Sequence, residues 1–480
     1  MFVYTEEDIR NIDNLAEKNG LSSIVLMENA GRSLFQKLVS YVKKDDRILI
    51  LSGKGNNGGD GIVLARYLKQ NGYHANLSFP LGAPKSEAAK HHFAFYKNSG
   101  FLETAEYEQN HYQVIVDALL GVGARHPLRD DVKNIIEWIN GQNAFVVSVD
   151  VPSGVLSDTG EAPIAVKANV TISIHGYKRS AFLLPSSSFY GKKEVVSIGL
   201  KEEGKWKVWT EKDVKQTWPN HPSFSHKGTF GTGYLIAGSD EMPGSVLLAA
   251  KGAMRAGIGK LVIGTTPFVA GAIAGQIPEA TYFFEGLIKA GDGEFPEKLS
   301  VCAIGPGIVP GEETEKAIQS ILQNDWPVVL DAGALQKRTY PKNRQHPIVL
   351  TPHPGEFSRL IDQPISYIQK NRIEAASKFA VEENVIVVLK GQYTVIAFPD
   401  GTGMINPTGN IALGKGGSGD ALTGIIAAFL SYYENKKAAV ANAVYLHGLC
   451  ADLFVKTKGV RSMLAGDIPD ILPEVMKRFE

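Results

Sequence analysis

Short β-rich apolar runs alternate with helix-period stretches along almost the whole chain, and this rhythm restricts the fold more than any other feature. RILILSG (47–53), HANLSF (74–79), YQVIVDAL (112–119), FVVSVD (145–150), VTISI (170–174) and VVSIGL (195–200) read as strands. Between them run helices such as GIVLARYLKQNG, closed by Gly72, and DVKNIIEWIN, opened by Asp130 or Asp131. A leading helix starts at TEED, where Thr5 and Asp8 approximate a capping box. The alternation predicts α/β layers with mostly parallel strands.

A chain of 480 residues is long for one core, so two domains are expected. The rhythm breaks from Lys201 to about Ser225, where charges, prolines and tryptophans read as a linker. It restarts with GTGYLIAGSD, the helix SVLLAAKGAMRAG and the strand KLVIGT, then continues through VCAIGPG, PVVLDAGAL, PIVLTPHPGE, VIVVLKG and YTVIAF to a helical end.

Fifty basic residues balance fifty acidic ones. That leaves no electrostatic footprint for nucleic acid or an anionic membrane. Cys302 and Cys450 lie far apart in apolar surroundings, the usage of a reducing compartment. The acidic start MFVYTEEDIR lacks signal-peptide order and no apolar run is long enough to span a bilayer, so a cytoplasmic protein is expected.

The segment GKGNNGGDG (53–61) lies between a strand and a helix, and Gly53, Gly55 and Gly58 satisfy G-x-G-x-x-G. The ribose-binding acid expected after the second strand is missing, since that place reads LSFPLG, which disfavours a dinucleotide cofactor. What remains is either a plain turn or an anion cradle, carrying Asn56, Asn57 and Asp60. Two later strand ends supply Asp117, then Asp150, Pro152 and Ser153. Strand ends of an open α/β sheet share one edge, so Asn57, Asp60, Asp117, Asp150 and Ser153 can converge there. Such an oxygen-rich crevice suits an alkali or alkaline-earth ion, with a spare carboxylate for proton transfer, unless the aspartates merely cap helices.

GNIALGKGGSGDALTG (409–424) contains G-x-x-x-x-G-K, but Gly416 stands where a Walker loop needs Ser or Thr. Gly416, Gly417 and Gly419 nevertheless put free amides before a helix whose positive end favours phosphate. Asp420 on that turn reads either as a helix cap or as a base that deprotonates a hydroxyl attacking a phosphoryl group.

These residues resemble a known family. HKGTFG, GSDEMPGSVLLAAKGAMRAGIGKL, IGPG, LDAGAL, LTPHPGEFSRL, LKGQYTVI and NPTGNIALGKGGSGDALTGIIAAFL resemble the ribokinase-like dehydratase that repairs hydrated NADH and NADPH. NNGGDG, DALLGVGARHPL and VDVPSG resemble its partner epimerase. The resemblance implies a Rossmann-like three-layer αβα epimerase domain over residues 1–210 and a ribokinase-like α/β dehydratase domain over 211–480. It implies interconversion of the R and S hydrates (NADHX and NADPHX) and dehydration of the S form, driven by ADP in bacterial members and ATP in eukaryotic ones. Carried over by motif, Asn56, Asn57, Gly58, Gly59, Asp60, the loop Gly121, Val122, Gly123, Ala124, Arg125, His126, Pro127, and Asp150 would bind the hydrate in the first domain. Asn57, Asp117 and Ser153 would hold K⁺ there, and Asp60 and Asp150 are its catalytic candidates. In the second, Gly307, His353 and the base Asp420 would meet the hydrate. Lys390, Gly391, Gln392, Tyr393, Thr394 and Gly419 would meet the nucleotide, with Mg²⁺ as cofactor. Taken without the family, His353 between two prolines could equally fix a turn, and Lys390 could be a solvated strand-end lysine. A homo-oligomer is expected, as for many such enzymes. The competing readings are a ribokinase-like vitamin or sugar kinase, and a first domain that serves only as a binding scaffold.

Overall fold

Six parallel strands form the first sheet, in the order His74–Ser78, Arg47–Ser52, Val114–Ala118, Phe145–Val149, Val170–Ile174, Lys192–Val196. Successive side chains of a strand point to opposite faces, and the packing follows that period. Ile48 and Ile50 join Leu34, Leu38, Ile62, Leu68 and Tyr96, from the helices Ser23–Leu38, Asn56–Gln70 and Glu87–Asn98. Leu49 and Leu51 join Val132, Ile136 and Ile139 of the helix Asp130–Gly141 on the other face. This is the three-layer αβα arrangement expected from the alternation. The computed structural model describes residues 1–105 and 107–480, and the chain divides into the units Met1–Trp206 and Lys207–Glu480.

Strand order reverses between Arg47–Ser52 and Val114–Ala118. Crossovers leave in opposite directions there, so a crevice opens at the carboxyl ends of these two strands. The turn Gly53–Gly61 and Asp117 both lie at that place.

In the second unit the parallel strands run Thr281–Phe284, Lys260–Thr265, Thr232–Ile236, Val301–Ile304, Val328–Leu330, Ile348–Leu350, Ile386–Leu389. Val395–Ala397 and Gly403–Ile405 extend the sheet antiparallel. Its order reverses between Thr232–Ile236 and Val301–Ile304, beside the turn Gly305–Gly307.

The helix Ser418–Tyr432 is buried from Ala421 through Leu430, which explains its almost unbroken apolar run. It crosses Pro243–Arg255 at backbone contact, because a Cβ on Gly424 would lie 1.9 Å from the Ala249 carbonyl oxygen. Gly424→Ala is therefore expected to destabilise this unit by about 2 kcal/mol or more. Urea unfolding checks this, and an unshifted midpoint would show that the two helices can separate freely.

The stretch expected to be a linker is folded over much of its length. Thr210 and Asp213 form a capping box on the helix Glu211–Thr217, and the buried Trp209 donates Nε1–H to Asn442 Oδ1 at 2.8 Å. Trp218 stacks on Phe479 at 5.5 Å. The charges and prolines disguise segments whose tryptophans complete the core. Among the described residues, no helix is long and apolar enough to cross a membrane. Both cysteines are buried, which pushes their thiols up.

Candidate active sites

The crevice of the first unit is a cavity of about 470 Å³ bordered by Asn56, Asn57, Asp60, Asp150, Lys178 and Asp13, with Gly121–Ala124 on one rim. Asp150 sits just past its strand with φ 68, a left-handed conformation that outside glycine is met chiefly at asparagine and aspartate. The adjacent strand Val170–Ile174 holds it there. The Asp150 N–H donates to the Ile172 carbonyl (2.8 Å), Ser173 Oγ donates to the Asp150 carbonyl (3.0 Å), and Ile174 N–H donates to Asp150 Oδ1 (3.0 Å). The buried Lys178 ammonium donates to the same carboxylate, and to the carbonyls of Ile174 and Gly176 at 3.0 and 3.2 Å.

One ammonium thus faces three carboxylates. Burial, then the charges of Asp150 and Asp13, push the Asp60 carboxyl well up against the opposing pull of Lys178. Burial also raises Asp13, with Lys178 and Asp150 opposing each other there. Asp60 therefore holds its proton more tightly than an ordinary carboxyl, as an acid group must.

Asp117 lies beneath the cavity. Its Oδ1 accepts from Leu119 N–H (3.2 Å) and Ser153 Oγ (2.5 Å), and its Oδ2 from Ser148 Oγ (2.8 Å) and Ser153 N–H (2.9 Å). Burial raises its carboxyl, and these bonds recover only part of that cost. Asn57 donates Nδ2–H to the Leu120 carbonyl at 2.9 Å, while its Oδ1 is buried without a hydrogen-bond partner. An orphaned amide oxygen near a buried carboxylate and a serine hydroxyl fits a hard cation. Among the described residues, no group of three or more His, Cys, Asp or Glu could hold a metal ion.

Other expected residues have different surroundings. Gly58 packs against the preceding turn and Gly59 against the helix Ser23–Leu38, since a Cβ on Gly58 would meet the Gly53 carbonyl oxygen at 2.0 Å and one on Gly59 the Met27 sulfur at 2.4 Å. Arg125 pairs with Glu6 at 2.8 Å, and the His126 ring nitrogen meets the Gly154 carbonyl at 3.0 Å, with Pro127 following in cis. These contacts turn both side chains toward protein partners.

In the second unit, Asp331 at the end of Val328–Leu330 anchors the site. Lys390 Nζ donates to its Oδ1 (2.9 Å) and Thr423 Oγ1 to its Oδ2 (2.8 Å). Burial opposes the Lys390 charge, but Asp331, Glu356 and Asp420 outweigh it and hold the ammonium above its usual range. Lys390 is thus ion-paired in a polar cluster and not a solvated strand-end lysine.

Asp420 follows Gly417, whose φ of 90 requires glycine at the helix entry, and no side chain caps this helix. The carboxylate instead accepts a hydrogen bond from Ser245. Burial and then Asp331 push it up to about 6, with Ser245 and Lys390 pulling the other way. A carboxylate titrating there is mostly ionised at neutral pH yet basic enough to take a proton. Gly307, with φ 67, lies against the start of the helix Pro243–Arg255, since a Cβ on it would come within 2.8 Å of Ser245 Cβ.

His353 does fix a turn. Its Nδ1 accepts from the N–H groups of Gly355 (2.9 Å) and Glu356 (3.3 Å), and Glu356 Oε2 accepts from the His353 N–H (2.7 Å). Because Nδ1 accepts, the ring proton of the neutral imidazole lies on Nε2, 3.5 Å from Glu356 Oε1. The capping role leaves that N–H as a donor.

A cavity of about 430 Å³ opens beside Lys390, bordered by Gly391, Gln392, Thr394, Gly419, Asn410 and His447. Tyr393 has φ 56 and shapes the turn between these neighbours. Burial lowers His447 to about 4, leaving a neutral ring that donates Nε2–H to the Ser418 carbonyl at 2.9 Å and steadies the glycine turn.

Sequence reasoning missed Asp13, Lys178 and His447, and met Asp331 and Glu356 only inside motifs. Asp13 and His447 lie in helices and Glu356 in a capping turn, positions where such residues are ordinary. Lys178 follows VTISI in HGYKRS, where the neighbouring Arg179 and His175 make a charged residue unremarkable.

Two family models match the chain. One described as NAD(P)H-hydrate dehydratase covers residues 234–474, and one described as YjeF-related protein N-terminus covers residues 23–180. The ADP-dependent (S)-NAD(P)H-hydrate dehydratase of Bacillus subtilis is 53% identical over 57% of this chain and 98% of its own length. The bifunctional NAD(P)H-hydrate repair enzyme Nnr of Moorella thermoacetica is 33% identical over 100% of this chain and 97% of its own, and that of Escherichia coli 32% over 99% and 94%. The crystal structure of the Bacillus subtilis ADP/ATP-dependent dehydratase, co-crystallised with ATP/Mg²⁺, superposes on 57% of this chain and 99% of its own with a TM-score of 0.56 at 52% identity. A ribokinase-like superfamily protein from Enterococcus faecalis V583 superposes on 58% of this chain and 98% of its own with a TM-score of 0.52 at 26% identity. That likeness meets the ribokinase-like expectation for the second unit, and the vitamin or sugar kinase alternative is not favoured. With both models matched in order and relatives aligned end to end, the chain belongs to the family of bifunctional NAD(P)H-hydrate repair enzymes.

Proposed function

We propose that the second unit dehydrates the S hydrate of NADH or NADPH at the expense of ADP or ATP, and that the first interconverts the R and S hydrates. The observation that carries the reading is Asp420: a carboxylate pushed up to about 6, on a glycine turn beside a cavity walled by Lys390. Asp420 takes the proton of the C6 hydroxyl, whose oxygen attacks the terminal phosphoryl group of the nucleotide. The C6–O bond then breaks as the ring nitrogen donates its lone pair, phosphate departs, and loss of a C5 proton restores the dihydronicotinamide. AMP, or ADP when ATP is used, is the other product. Gly307 and the Nε2–H of His353 bound the hydrate, while Lys390, Gly391, Gln392, Thr394 and Gly419 receive the nucleotide.

In the first unit, Asp60 acts as the acid: its proton assists departure of the C6 hydroxyl as water, and water re-adds to the other face and returns the proton. Asp150, held by Lys178, supports the charge that develops on the ring. Asn57 Oδ1, Asp117 and Ser153 would hold K⁺, which supplies a fixed positive charge near the substrate. Mg²⁺ enters with the nucleotide phosphates. A cytoplasmic homo-oligomer completes the reading.

The test supplies separated S and R hydrates with Mg²⁺, K⁺ and either ADP or ATP and follows the return of reduced-nicotinamide absorbance. Recovery from both epimers is expected. Recovery from S alone would reduce the first unit to a scaffold, and no recovery with either nucleotide would overturn the reading.

A further inference from the structure

The second unit has another cavity, of about 430 Å³, that the roles above leave unused. It opens over the carboxyl ends of Thr232–Ile236, Lys260–Thr265 and Val301–Ile304, on the other side of the strand-order reversal from Lys390. Gly238 forms part of its wall, and a Cβ on Gly307 would lie 3.2 Å from Gly238 Cα and 2.8 Å from Ser245 Cβ. Ser245 in turn donates to Asp420. The cavity therefore begins where the reacting ring would end.

Its lining is mixed. Ile236, Leu287 and Ile308 give it apolar walls, and the hydroxyls of Ser239 and Thr265 are buried there without hydrogen-bond partners. Buried hydroxyls without partners are uncommon and mark places where a ligand completes the bonding. The charged groups at its mouth, Glu285, Glu312 and Glu313, are all acidic, and among the described residues no lysine or arginine lines it. Glu285 is held at φ 56, a left-handed conformation uncommon for a non-glycine residue, with its N–H bonded to the Thr265 carbonyl at 2.9 Å.

We propose that this cavity receives the adenosine end of the hydrated dinucleotide, and that its acidic mouth selects a free ribose 2′-hydroxyl over a 2′-phosphate. The proposal rests on the dehydratase reading and makes the S hydrate of NADH the preferred substrate of that unit. Apolar walls hold the adenine, the orphaned hydroxyls meet its polar edge or the ribose, and the glutamates accept from ribose hydroxyls as acids do in dinucleotide folds. A 2′-phosphate would bring about two further negative charges against three carboxylates, a juxtaposition that costs several-fold to many-fold in affinity.

The experiment measures kcat/KM for the S hydrates of NADH and NADPH on one preparation of the full chain, then on the double variant Glu312→Lys, Glu313→Lys. Both positions are exposed at a helix start. Because the two hydrates share each preparation, any loss of folded protein cancels from their ratio. The unmodified protein should favour the NADH hydrate by about tenfold or more, and the double variant should bring the ratio to about one or invert it, mainly through KM for the NADPH hydrate. A ratio near one in the unmodified chain, or one unmoved by the double variant, would overturn the proposal while leaving the dehydratase reading intact. Failure to turn over either hydrate would overturn the dehydratase reading, and this proposal with it.

Discussion

Asp420→Asn is expected to lower dehydration of the S hydrate by about 10³-fold, the scale of a positioned general base, while R and S hydrates continue to interconvert. The amide keeps an oxygen for the Ser245 hydroxyl and lies on a helix that no side chain caps, so the turn has no reason to open. Stability gives a second readout of opposite sign to that of a capping residue. The carboxyl titrates near 3.8 before folding and at about 6 afterwards, so the stability present at low pH is lost as pH rises through that window. Removing the charge should leave the thermal midpoint at neutral pH unchanged or raised. In the unmodified protein kcat/KM should fall about tenfold per pH unit below 6, as the base becomes protonated, and this limb should vanish from the residual activity of the variant. Wild-type turnover in Asp420→Asn would remove the base from the mechanism, and a lowered midpoint would point to a structural role.

Breaking the buried pair of the first unit should give the largest loss of stability. Lys178→Met leaves Asp150 with Asp60 and Asp13 and no cation among them, and stranding a buried charge in this way costs about 3–5 kcal/mol. Asp150→Asn should be milder, because asparagine tolerates φ 68 and its amide oxygen still accepts from Ile174 N–H. Both variants should lose epimerisation, so that the S hydrate is consumed while the R hydrate accumulates. Urea unfolding and the two-epimer assay check the pair. Lys178→Met as stable as the parent would mean that the ammonium is not needed to hold this cluster together, and R-hydrate turnover in Asp150→Asn would remove that carboxylate from the chemistry.

Much of this was legible in the chain itself. Parallel strands covered by helices are apolar over short runs, so the order of strand, turn and helix appears directly in the residues. Asn57, Asp60, Asp117, Asp150 and Asp420 were found because strand ends and helix starts are where an α/β fold presents side chains to a crevice. The tryptophan-bearing stretch misled because burial of Trp209 depends on Asn442, 233 positions away.

What the residues determined alone was the layered architecture and the acids standing at strand ends and a helix start, since these follow from local period, glycine placement and strand ends. Only the tertiary structure decided which charges meet: Lys178 with Asp150 across 28 positions, Lys390 with Asp331 across 59, and Thr423 with Asp331 across 92. It also decided that Gly58 and Gly59 serve close packing and that Arg125 and His126 turn to protein partners. The reason is physical: position along a strand or helix follows from nearby residues, whereas a pKa, an ion pair or an orphaned oxygen is set by whatever distant segment folds against it.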